Sequence, residues 1–341
     1  MESLINCNLC PRNCRVNRRE GKTGVCRAGV NSKVALASVH MWEEPCISGT
    51  KGSGTVFFSH CNLKCVFCQN FDISQQDFGK EVTIEELAEL FINQQNKGVH
   101  NLNLVSPTQY LVQIKQALIL AKQNGLSIPV IYNTNGYENI EGLRILEGLI
   151  DIYLPDFKYS ENELGEKYSG INDYFEKASK AILEMYSQVG APIFDDDGII
   201  KRGLIIRHLV LPGQLGNSKK VLQWVHANLL NDVYPMSTTA NTPTSSCSRK
   251  SGAMTLDNSF YSFEGEETPP KLKNPVYISL MCQYTPMYKA SDYPELKRRL
   301  NKREYEEIID YFFEIGLENG FVQELSSAKN AYTPKFNLDG I

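Results

Sequence analysis

Short apolar runs alternate with amphipathic stretches along most of the chain. The apolar runs predict strands near 55–59, 101–105, 128–133, 151–154, 203–210 and 276–281. The amphipathic stretches, in which apolar residues recur every three or four positions, predict helices near 83–97, 108–124, 139–148, 173–189, 217–230 and 301–315. Strands and helices that alternate in this way are typical of βα units around a parallel sheet.

The starts of two helices carry clear local signals. Thr83 and Glu86 form a capping-box pattern at the start of one helix, and Gly98 stands where that helix should stop. Asn301 and Glu304 repeat the pattern at the start of the last predicted helix. We therefore expect both helices to begin at these residues.

Six such units predict an α/β fold, a partial (βα)6 TIM-like barrel, over residues 47–325. A barrel of six units stays open on one side, and α/β folds place their chemistry in loops at the carboxyl ends of the strands. Residues 235–274 break the rhythm, because Ser, Thr, Pro and Asn dominate there and too few apolar residues are left to offset the entropy of ordering. We expect a disordered insertion at this point and a carboxyl-terminal tail over 326–341.

Composition and charge narrow the classes of partner. With 341 residues, of which 42% are hydrophobic, the chain is long enough to bury one main core. The 35 Lys and Arg residues against 39 Asp and Glu give a net charge of −4, so a broad cationic face for nucleic acid or anionic lipid is not expected. The chain begins Met1-Glu2-Ser3-Leu4 without an apolar signal segment, and no apolar run approaches membrane-spanning length. These features predict a cytoplasmic protein with no membrane partner and leave nucleic acid unsupported.

Three cysteines follow the first predicted strand, at Cys61, Cys65 and Cys68. Their C-x3-C-x2-C spacing would let three thiolates hold three irons of a cubic 4Fe-4S cluster. The fourth iron would then lack a protein ligand and stay open to an outside molecule. The spacing therefore predicts a reactive iron–sulfur site.

Three other interpretations of these cysteines fit the sequence less well. A zinc site normally has four ligands, often in two C-x2-C pairs, and no fourth Cys or His follows within reach in the sequence. A disulfide needs an oxidising compartment, which the lack of a signal segment argues against. Ordinary buried cysteines would have to fall this close together by chance in a chain that carries ten. We therefore favour the cluster.

The same loop resembles a known family signature. Its C-x3-C-x-aromatic-C pattern, with Phe67 at the aromatic position, resembles that of the radical S-adenosylmethionine superfamily. Six stretches resemble the uncharacterised branch of that superfamily named after pyruvate formate-lyase activating enzyme. These stretches are residues 60–70, 105–108, 132–137, 152–158, 207–213 and 281–284. The resemblance covers nearly the whole chain.

The resemblance implies two cofactors, a [4Fe-4S] cluster and S-adenosyl-L-methionine. The three barrel cysteines would hold the cluster, with Phe67 beside them as part of the cofactor site. Ser106 and Thr108, after the second strand, would lie near the methionine amino group. Relatives usually have a glycine-rich loop at this point, and Pro107 makes this version stiffer.

The loops after the third and fourth strands are implied to hold the rest of S-adenosylmethionine. Thr134 and Asn135, and then Asp156 and Lys158, match positions where the activating enzymes hold the ribose, the carboxylate and a monovalent cation. Asn133 stands where those enzymes commonly carry Asp, which removes one negative ligand from the cation position. Turn formation and a solvated Asp–Lys pair are the plainer explanations of the same residues.

Arg207 and His208 lie in an otherwise apolar run. An unpaired buried charge is costly, so we expect Arg207 to have an anionic partner such as a carboxylate. Successive strand residues point to opposite faces, so at most one of the two can face the interior of the barrel. We expect Arg207 to face the interior of the barrel and to contribute to cofactor binding. We expect His208 to be a hydrogen-bonded core residue.

The amino-terminal segment, residues 1–46, carries a second group of cysteines. Cys7, Cys10 and Cys14 form a C-x2-C-x3-C pattern, and Cys26 follows after a stretch with several basic residues. Four thiolates can complete the coordination of a tetrahedral zinc ion or of an auxiliary 4Fe-4S cluster. Because so short a segment cannot build its own core, we expect a small N-terminal Cys-rich metal-binding segment, with zinc and a second cluster both open. Free thiols packed on the barrel are the alternative.

Together these features predict a radical SAM oxidoreductase that reductively cleaves S-adenosylmethionine to a 5'-deoxyadenosyl radical. The implied partners are an electron donor such as flavodoxin or ferredoxin and, if the resemblance extends to function, a glycyl radical enzyme as protein substrate. Radical modification of RNA or of a metabolite is one alternative. The others are a non-catalytic iron–sulfur protein for electron transfer and zinc-dependent RNA binding by the Cys-rich segment.

Overall fold

The computed structural model describes residues 2–230, 260–262, 276–324 and 334–341. Within these residues the strands are β1 (Ser32–His40), β2 (Ser53–Phe58), β3 (Lys80–Val82), β4 (Leu102–Val105), β5 (Val130–Thr134), β6 (Ile152–Pro155), β7 (Ile193–Phe194), β8 (Ile200–Leu209), β9 (Phe260–Ser262), β10 (Tyr277–Met281) and β11 (Gly320–Gln323). The α-helices are α1 (Pro45–Ser48), α2 (Phe71–Gln75), α3 (Ile84–Asn96), α4 (Leu111–Gln123), α5 (Ile140–Arg144), α6 (Asn162–Ser169), α7 (Tyr174–Val189), α8 (Leu215–Val225) and α9 (Lys302–Glu314). The predicted alternation of strands and helices is confirmed.

One sheet forms the centre of the fold, in the strand order β3-β1-β2-β4-β5-β6-β8-β10-β11-β9, with β7 paired to β8. From β2 to β11 in that order, each strand runs parallel to the next. The remaining strands, β1, β3, β7 and β9, pair antiparallel. Among the described residues the two ends of this order do not pair with each other, so the sheet is open, as predicted for a partial TIM-like barrel.

All six predicted strands are present, but a seventh parallel strand, β11, was not predicted. Its four residues include a glycine and follow α9 closely, so they give too short an apolar run to stand out. β1 was missed as well, because it lies within the predicted Cys-rich segment, residues 1–46. The boundaries at 46 and 325 stay predictions, and the predicted insertion at 235–274 lies outside the described residues except for β9.

The helix starts follow from the caps in the sequence. In α3, Thr83 Oγ1 accepts a hydrogen bond from Glu86 N at 3.2 Å, and Glu86 Oε2 accepts one from Thr83 N at 2.8 Å. The predicted box at the start of α9 forms in the same way. Three predicted helices have a shorter α-helical part than expected. In 217–230 the α-helix ends at Val225, and His226–Leu230 form a π-helical turn. The first turn of 108–124 is a 3-10 turn at Thr108–Tyr110, and only α5 is α-helical within 139–148.

Two features of the packing bear on the site. Every residue of β2 is buried, as expected for a parallel strand covered on both faces, so the loop that follows it begins from a fixed point. The last described residues run along β1, where Ala37 N donates to the Asp339 carbonyl at 2.9 Å. Among the described helices, none combines the length and the apolar content needed to cross a bilayer.

Candidate active site

A cavity of about 250 Å³ lies at the carboxyl ends of the parallel strands. Its lining residues come from strand ends and loops that are far apart in the chain. The predicted barrel-site residues that line it are Cys61, Cys65, Phe67, Cys68, Ser106, Thr134, Asn135, Asp156, Lys158 and Arg207. The fold therefore brings together every predicted barrel-site residue except Thr108.

The cysteine loop leaves β2 and packs against the end of α6. Lys64 N donates to the Ser169 carbonyl at 3.1 Å, and Val66 N donates to the Tyr168 carbonyl at 2.9 Å. His60, at the first bend of the loop, adopts a left-handed backbone with φ of +73°. Because the loop is fixed through its backbone, the three thiols are held in place without help from solvent.

Each of the three sulfurs has a polar side-chain neighbour. Asn135 Nδ2 donates to Cys61 at 3.3 Å, Ser169 Oγ lies 3.0 Å from Cys65, and Ser74 Oγ lies 3.3 Å from Cys68. N–H and O–H groups that donate to sulfur favour the ionised thiolate over the neutral thiol. The surroundings therefore suit sulfur atoms that carry negative charge.

The thiols fit a cluster better than a single ion. The pKa is raised to about 12 for Cys61 and about 11 for Cys68, mainly by burial and in smaller part by the charge of Cys65. These thiols therefore need a bound cation to ionise at neutral pH. Among the described residues, no set of three or more His, Cys, Asp and Glu side chains is close enough to hold one metal ion. A cubic cluster binds each thiolate on a different iron, so its ligands are spread more widely.

Asn135 connects the loop after β5 to the cysteine loop. Besides the sulfur of Cys61, its Nδ2 atom reaches Asn62 Oδ1 at 2.8 Å. The next residue, Gly136, has φ of +80°, and a Cβ atom added there would lie 2.3 Å from the carbonyl oxygen of Asp156. Only glycine fits this close approach, so the loops after β5 and β6 touch through their backbones.

Aromatic and polar side chains form the other walls of the cavity. The Phe67 ring packs edge-on against Tyr284 and Tyr168, with centroids 5.9 and 6.5 Å apart. Met281 and Gln283, at the end of β10, line the cavity next to Tyr284. The cavity therefore has an apolar, aromatic side as well as the polar side that carries the cysteine contacts.

Asp156 and Lys158 form a close pair beside the cysteines. Lys158 Nζ lies 2.5 Å from Asp156 Oδ2, and the two side chains are only 15% and 25% exposed. Burial acts to lower the pKa of Lys158, but the charges of Asp156 and Cys65 outweigh it and raise that pKa. The pair is therefore a largely buried cation–carboxylate pair next to the cysteine sulfurs, and not a solvated surface pair.

Arg207 has the anionic partners that its sequence context predicted. Its Nε donates to Glu44 Oε1 at 2.8 Å, and its Nη2 atom contacts Glu43 as well. Nη1 reaches Asn133 Oδ1 at 3.4 Å. His208 points to the opposite face, is fully buried and has both ring nitrogens hydrogen-bonded, as expected. Composition alone indicates a turn or loop at Glu43 and Glu44, whereas the family resemblance makes their carboxylates candidates for the mouth of the active site. Nothing local marks them as partners of β8.

Thr108 is the predicted site residue that the structure separates from the cavity. Its hydroxyl donates to Glu138 Oε1 at 2.6 Å, and Tyr132 and Thr134 donate to the same oxygen. Glu138 is 1% exposed, and burial raises its pKa to about 7. Sequence reasoning missed Glu138 because its partners meet only in the fold. Ser106, in contrast, lines the cavity with φ of +57°.

The amino-terminal cysteines lie outside this cavity. Cys7, Cys10 and Cys26 are buried and Cys14 is half-buried, and none of them lines it. The segment nevertheless contacts the cluster loop, because Arg12 Nε donates to a backbone carbonyl of that loop at 2.9 Å. The two groups of cysteines are therefore neighbours that do not share a site.

Comparisons with known proteins show which families the chain is similar to. A family model described as the radical SAM superfamily matches residues 55–224. The uncharacterized protein MJ0674 of Methanocaldococcus jannaschii is 31% identical over 315 residues, which cover 89% of this chain and 73% of that protein. The pyruvate formate-lyase-activating enzyme of Clostridium pasteurianum is 24% identical over 209 residues, which cover 59% of this chain and 79% of that enzyme.

Solved structures of SuiB from Streptococcus suis also match. The structure of SuiB bound to the precursor peptide SuiA has a TM-score of 0.45 and 14% identity, and the match covers 79% of this chain. The structure of SuiB bound to S-adenosylmethionine has a TM-score of 0.45 and 13% identity. The chain spans about half the length of SuiB, 48% and 49% in the two structures.

Proposed function

Because the chain belongs to the radical S-adenosylmethionine superfamily, we propose that it is an enzyme that reductively cleaves S-adenosylmethionine. The observation that carries this proposal is the position of Cys61, Cys65 and Cys68 on the wall of one cavity at the strand ends. When bound there, a reduced 4Fe-4S cluster would supply the electron that splits the sulfonium into methionine and a 5'-deoxyadenosyl radical. In the described part of the chain no fourth cysteine lines the cavity, which supports an open iron.

The residues around the sulfurs would stabilise the ionised ligands. Asn135 donates to the sulfur of Cys61, and Lys158 places a positive charge near Cys65. Both effects act in a buried, low-dielectric setting, where a hydrogen bond or a charge has a larger effect than in water. Substitution of either residue should therefore shift the reduction potential of the site as well as its occupancy.

The remaining lining residues would bind S-adenosylmethionine. The aromatic wall that Phe67 forms offers apolar cover for the adenine ring, and Asp156 with Lys158 offers a carboxylate and a cation for the ribose hydroxyls and the methionine carboxylate. Ser106 and Thr134 lie on the strand ends between these groups, and Arg207 completes the polar wall. Substrate would enter from the side of Met281 and Gln283.

The direct test is 5'-deoxyadenosine formation. The protein is reconstituted anaerobically with iron and sulfide, reduced with dithionite and mixed with S-adenosylmethionine. Wild type should form 5'-deoxyadenosine and methionine, whereas Cys65→Ala should form neither, because one iron loses its thiolate.

Cys282→Ala is the control, because Cys282 is also a cysteine of the barrel but is fully buried and contacts Gln323 instead of the cavity. It should retain activity. An intact cluster in wild type that leaves S-adenosylmethionine uncleaved would contradict the proposal and favour a non-catalytic electron-transfer protein.

The finer part of the proposal concerns the substrate. The similarity to the pyruvate formate-lyase-activating enzyme of Clostridium pasteurianum supports hydrogen abstraction from a glycine backbone of a partner enzyme. A small flavodoxin or ferredoxin would be the electron donor. The net charge of −4 gives RNA no comparable support.

Pyruvate formate-lyase itself is the probe for this finer proposal. The reconstituted, reduced protein and S-adenosylmethionine are mixed with it under anoxic conditions, and electron paramagnetic resonance should detect a glycyl radical in it. The Cys65→Ala variant supplies the background. If 5'-deoxyadenosine accumulates in wild type without a glycyl radical, the cleavage proposal stands and pyruvate formate-lyase is excluded as the partner.

A further inference from the structure

Residues 334–341, which we call the strap, lie along β1 and extend to the cavity. Ala37 N donates to the Asp339 carbonyl at 2.9 Å, and Leu338 N donates to the Ala35 carbonyl at 3.2 Å. Since β3 pairs only with the first three residues of β1, these bonds give β1 further backbone partners beyond the part that β3 covers. Unpaired backbone groups at a strand edge invite other chains to pair there. The strap therefore covers part of a strand that leads to the site.

Gly340 is fitted closely against the backbone of β1. It has a left-handed backbone with φ of +76°, and a Cβ atom added there would collide with the Ala37 carbonyl oxygen. Any other residue would meet both the unfavourable backbone angle and this contact. The strap is therefore held at this point by a close approach that only glycine allows.

Phe336 anchors the strap through its ring. The ring packs edge-on against Phe57, with centroids 5.5 Å apart and an angle of 69° between the planes. It also packs against a cluster of buried apolar side chains from β1, β2, α2 and β4, namely Ala35, Leu36, Phe57, Ile73 and Val105. Three members of this cluster, Phe57, Ile73 and Val105, line the cavity, whereas Phe336 does not. The ring therefore supports the cavity wall from behind.

Pro334 brings the strap to the cavity itself. It lines the same cavity as Cys61, Cys65 and Cys68, and it lies two residues before the anchoring ring. Proline has a fixed φ and no backbone N–H group, so it adds an apolar surface to the wall without a donor that needs a partner. Because the ring and the backbone bonds to β1 both follow Pro334 in the chain, they hold it in this position.

We propose that the strap closes one side of the active-site cavity and limits which molecules reach the three cavity cysteines, with Phe336 as the positioning residue that holds Pro334 on the wall. Exclusion of water from such a site strengthens the electrostatic interactions inside it and protects reactive intermediates from side reactions. The inference rests on the proposed function for the use of the cavity. Access to the thiols can nevertheless be measured in the apo protein, whether or not S-adenosylmethionine is cleaved.

The first measurement is the alkylation rate of each cysteine in the full-length apo protein, with iodoacetamide under anoxic conditions and mass spectrometry of the peptides. Phe336→Ala removes the anchoring ring, and Gly340→Ala forces the strap away from β1, yet neither residue lines the cavity. In both variants the alkylation of the three cavity cysteines should become about tenfold faster, which corresponds to about 1.4 kcal/mol for opening the strap. Phe336→Leu keeps an apolar side chain and should restore most of the slow rate.

Two matched substitutions control for the loss of a ring and for backbone strain. Phe194→Ala removes a partly buried ring that packs against Tyr277, 5.0 Å between centroids, outside the cavity. Gly198→Ala has the same φ of +76° as Gly340→Ala but no atom within 4 Å of the added Cβ. Both should keep the wild-type rates, and the amino-terminal cysteines should react equally in all variants. Unchanged rates in both strap variants, or an equal rise at the amino-terminal cysteines, would overturn the proposal.

The second measurement is amide hydrogen exchange, which reports directly on the bonds between the strap and β1. The amides of Ala37 and Leu338 should exchange slowly in wild type and in Phe194→Ala, because each donates to a backbone carbonyl across this contact. Both amides should exchange faster in Phe336→Ala and in Gly340→Ala. Rapid exchange of Leu338 in wild type would show that the strap does not lie on β1 in solution and would refute the proposal, even in a protein that cleaves S-adenosylmethionine.

Discussion

The two groups of cysteines use the same side chain in opposite ways. Cys61, Cys65 and Cys68 line a cavity and have neutral donors, Asn135, Ser169 and Ser74, against their sulfurs. The amino-terminal four lie outside that cavity, and a buried guanidinium lies against two of them. The barrel cysteines face a cavity that an outside molecule could enter, whereas the amino-terminal cysteines do not line that cavity. Access and charge balance, and not the identity of the ligand residue, decide which group can react.

Each region also depends on a buried arginine, and the partners differ. In the barrel, Arg207 is neutralised by Glu43 and Glu44, so that part of the cavity wall is stable without any cofactor. In the amino-terminal segment, the Arg18 guanidinium lies against the sulfurs of Cys7 and Cys26 and not against carboxylates of the described residues. The comparison predicts that the apo barrel is preorganised and that the apo amino-terminal segment is not.

The largest expected effect in the apo protein comes from Arg207→Ala. This change leaves two buried carboxylates, 7% and 0% exposed, without their cation. Removing one partner of a buried ion pair typically costs about 3–5 kcal/mol. The free energy of unfolding, from anaerobic urea titration of the apo protein, should fall by about that amount.

Arg144→Ala serves as the control for Arg207→Ala, since it also removes an arginine that contacts a carboxylate. Arg144 pairs with Glu184 at 3.0 Å, but its side chain is 58% exposed. The urea midpoint of this variant should stay close to that of wild type. Equal losses in both variants would mean that the buried ion pair does not preorganise the barrel.

A smaller effect is expected from Gly24→Ala in the amino-terminal segment. The added methyl group would lie 2.7 Å from both Cβ and Sγ of Cys14, so one of them must move. Overpacking of this kind typically costs about 1–3 kcal/mol. The thermal midpoint of the reconstituted protein should fall.

Gly29→Ala is the matched substitution for Gly24→Ala, because no atom lies within 4 Å of a Cβ placed there. It should leave the midpoint unchanged. If the two alanine variants behave alike, the tight placement of the Cys14 sulfur is not needed for the stability of the segment.

The sequence predicted the elements of the fold correctly where apolar residues recur regularly over a long enough stretch. Six strands, the helix caps at Thr83 and Asn301 and the cluster loop all follow from local pattern, since burial, capping and thiolate spacing are properties of neighbouring residues. The need of Arg207 for an anion also followed from one rule, that an apolar strand does not keep a lone charge. The rule did not identify the carboxylates that would supply that anion.

Contacts between distant segments were beyond the reach of the sequence. Glu138 gathers hydroxyls from two strand ends, and nothing within a few residues of it indicates that role. The family resemblance implies that Thr108 lies near the methionine amino group, and in the structure its hydroxyl donates to Glu138. The strands β1 and β11 were missed for a related reason, because each is stabilised by pairing with strands that the local sequence does not identify as its partners.

The contact at Gly136 has a consequence for anyone who wishes to redirect this protein to new substrates. A methyl group at Gly136 would force the loops after β5 and β6 apart, because the Asp156 carbonyl oxygen occupies the space it would need. Variant libraries should therefore hold position 136 constant and diversify Met281 and Gln283, where side chains border open volume. The junction of the two loops at Gly136 therefore tolerates no added bulk, whereas Met281 and Gln283 border the cavity.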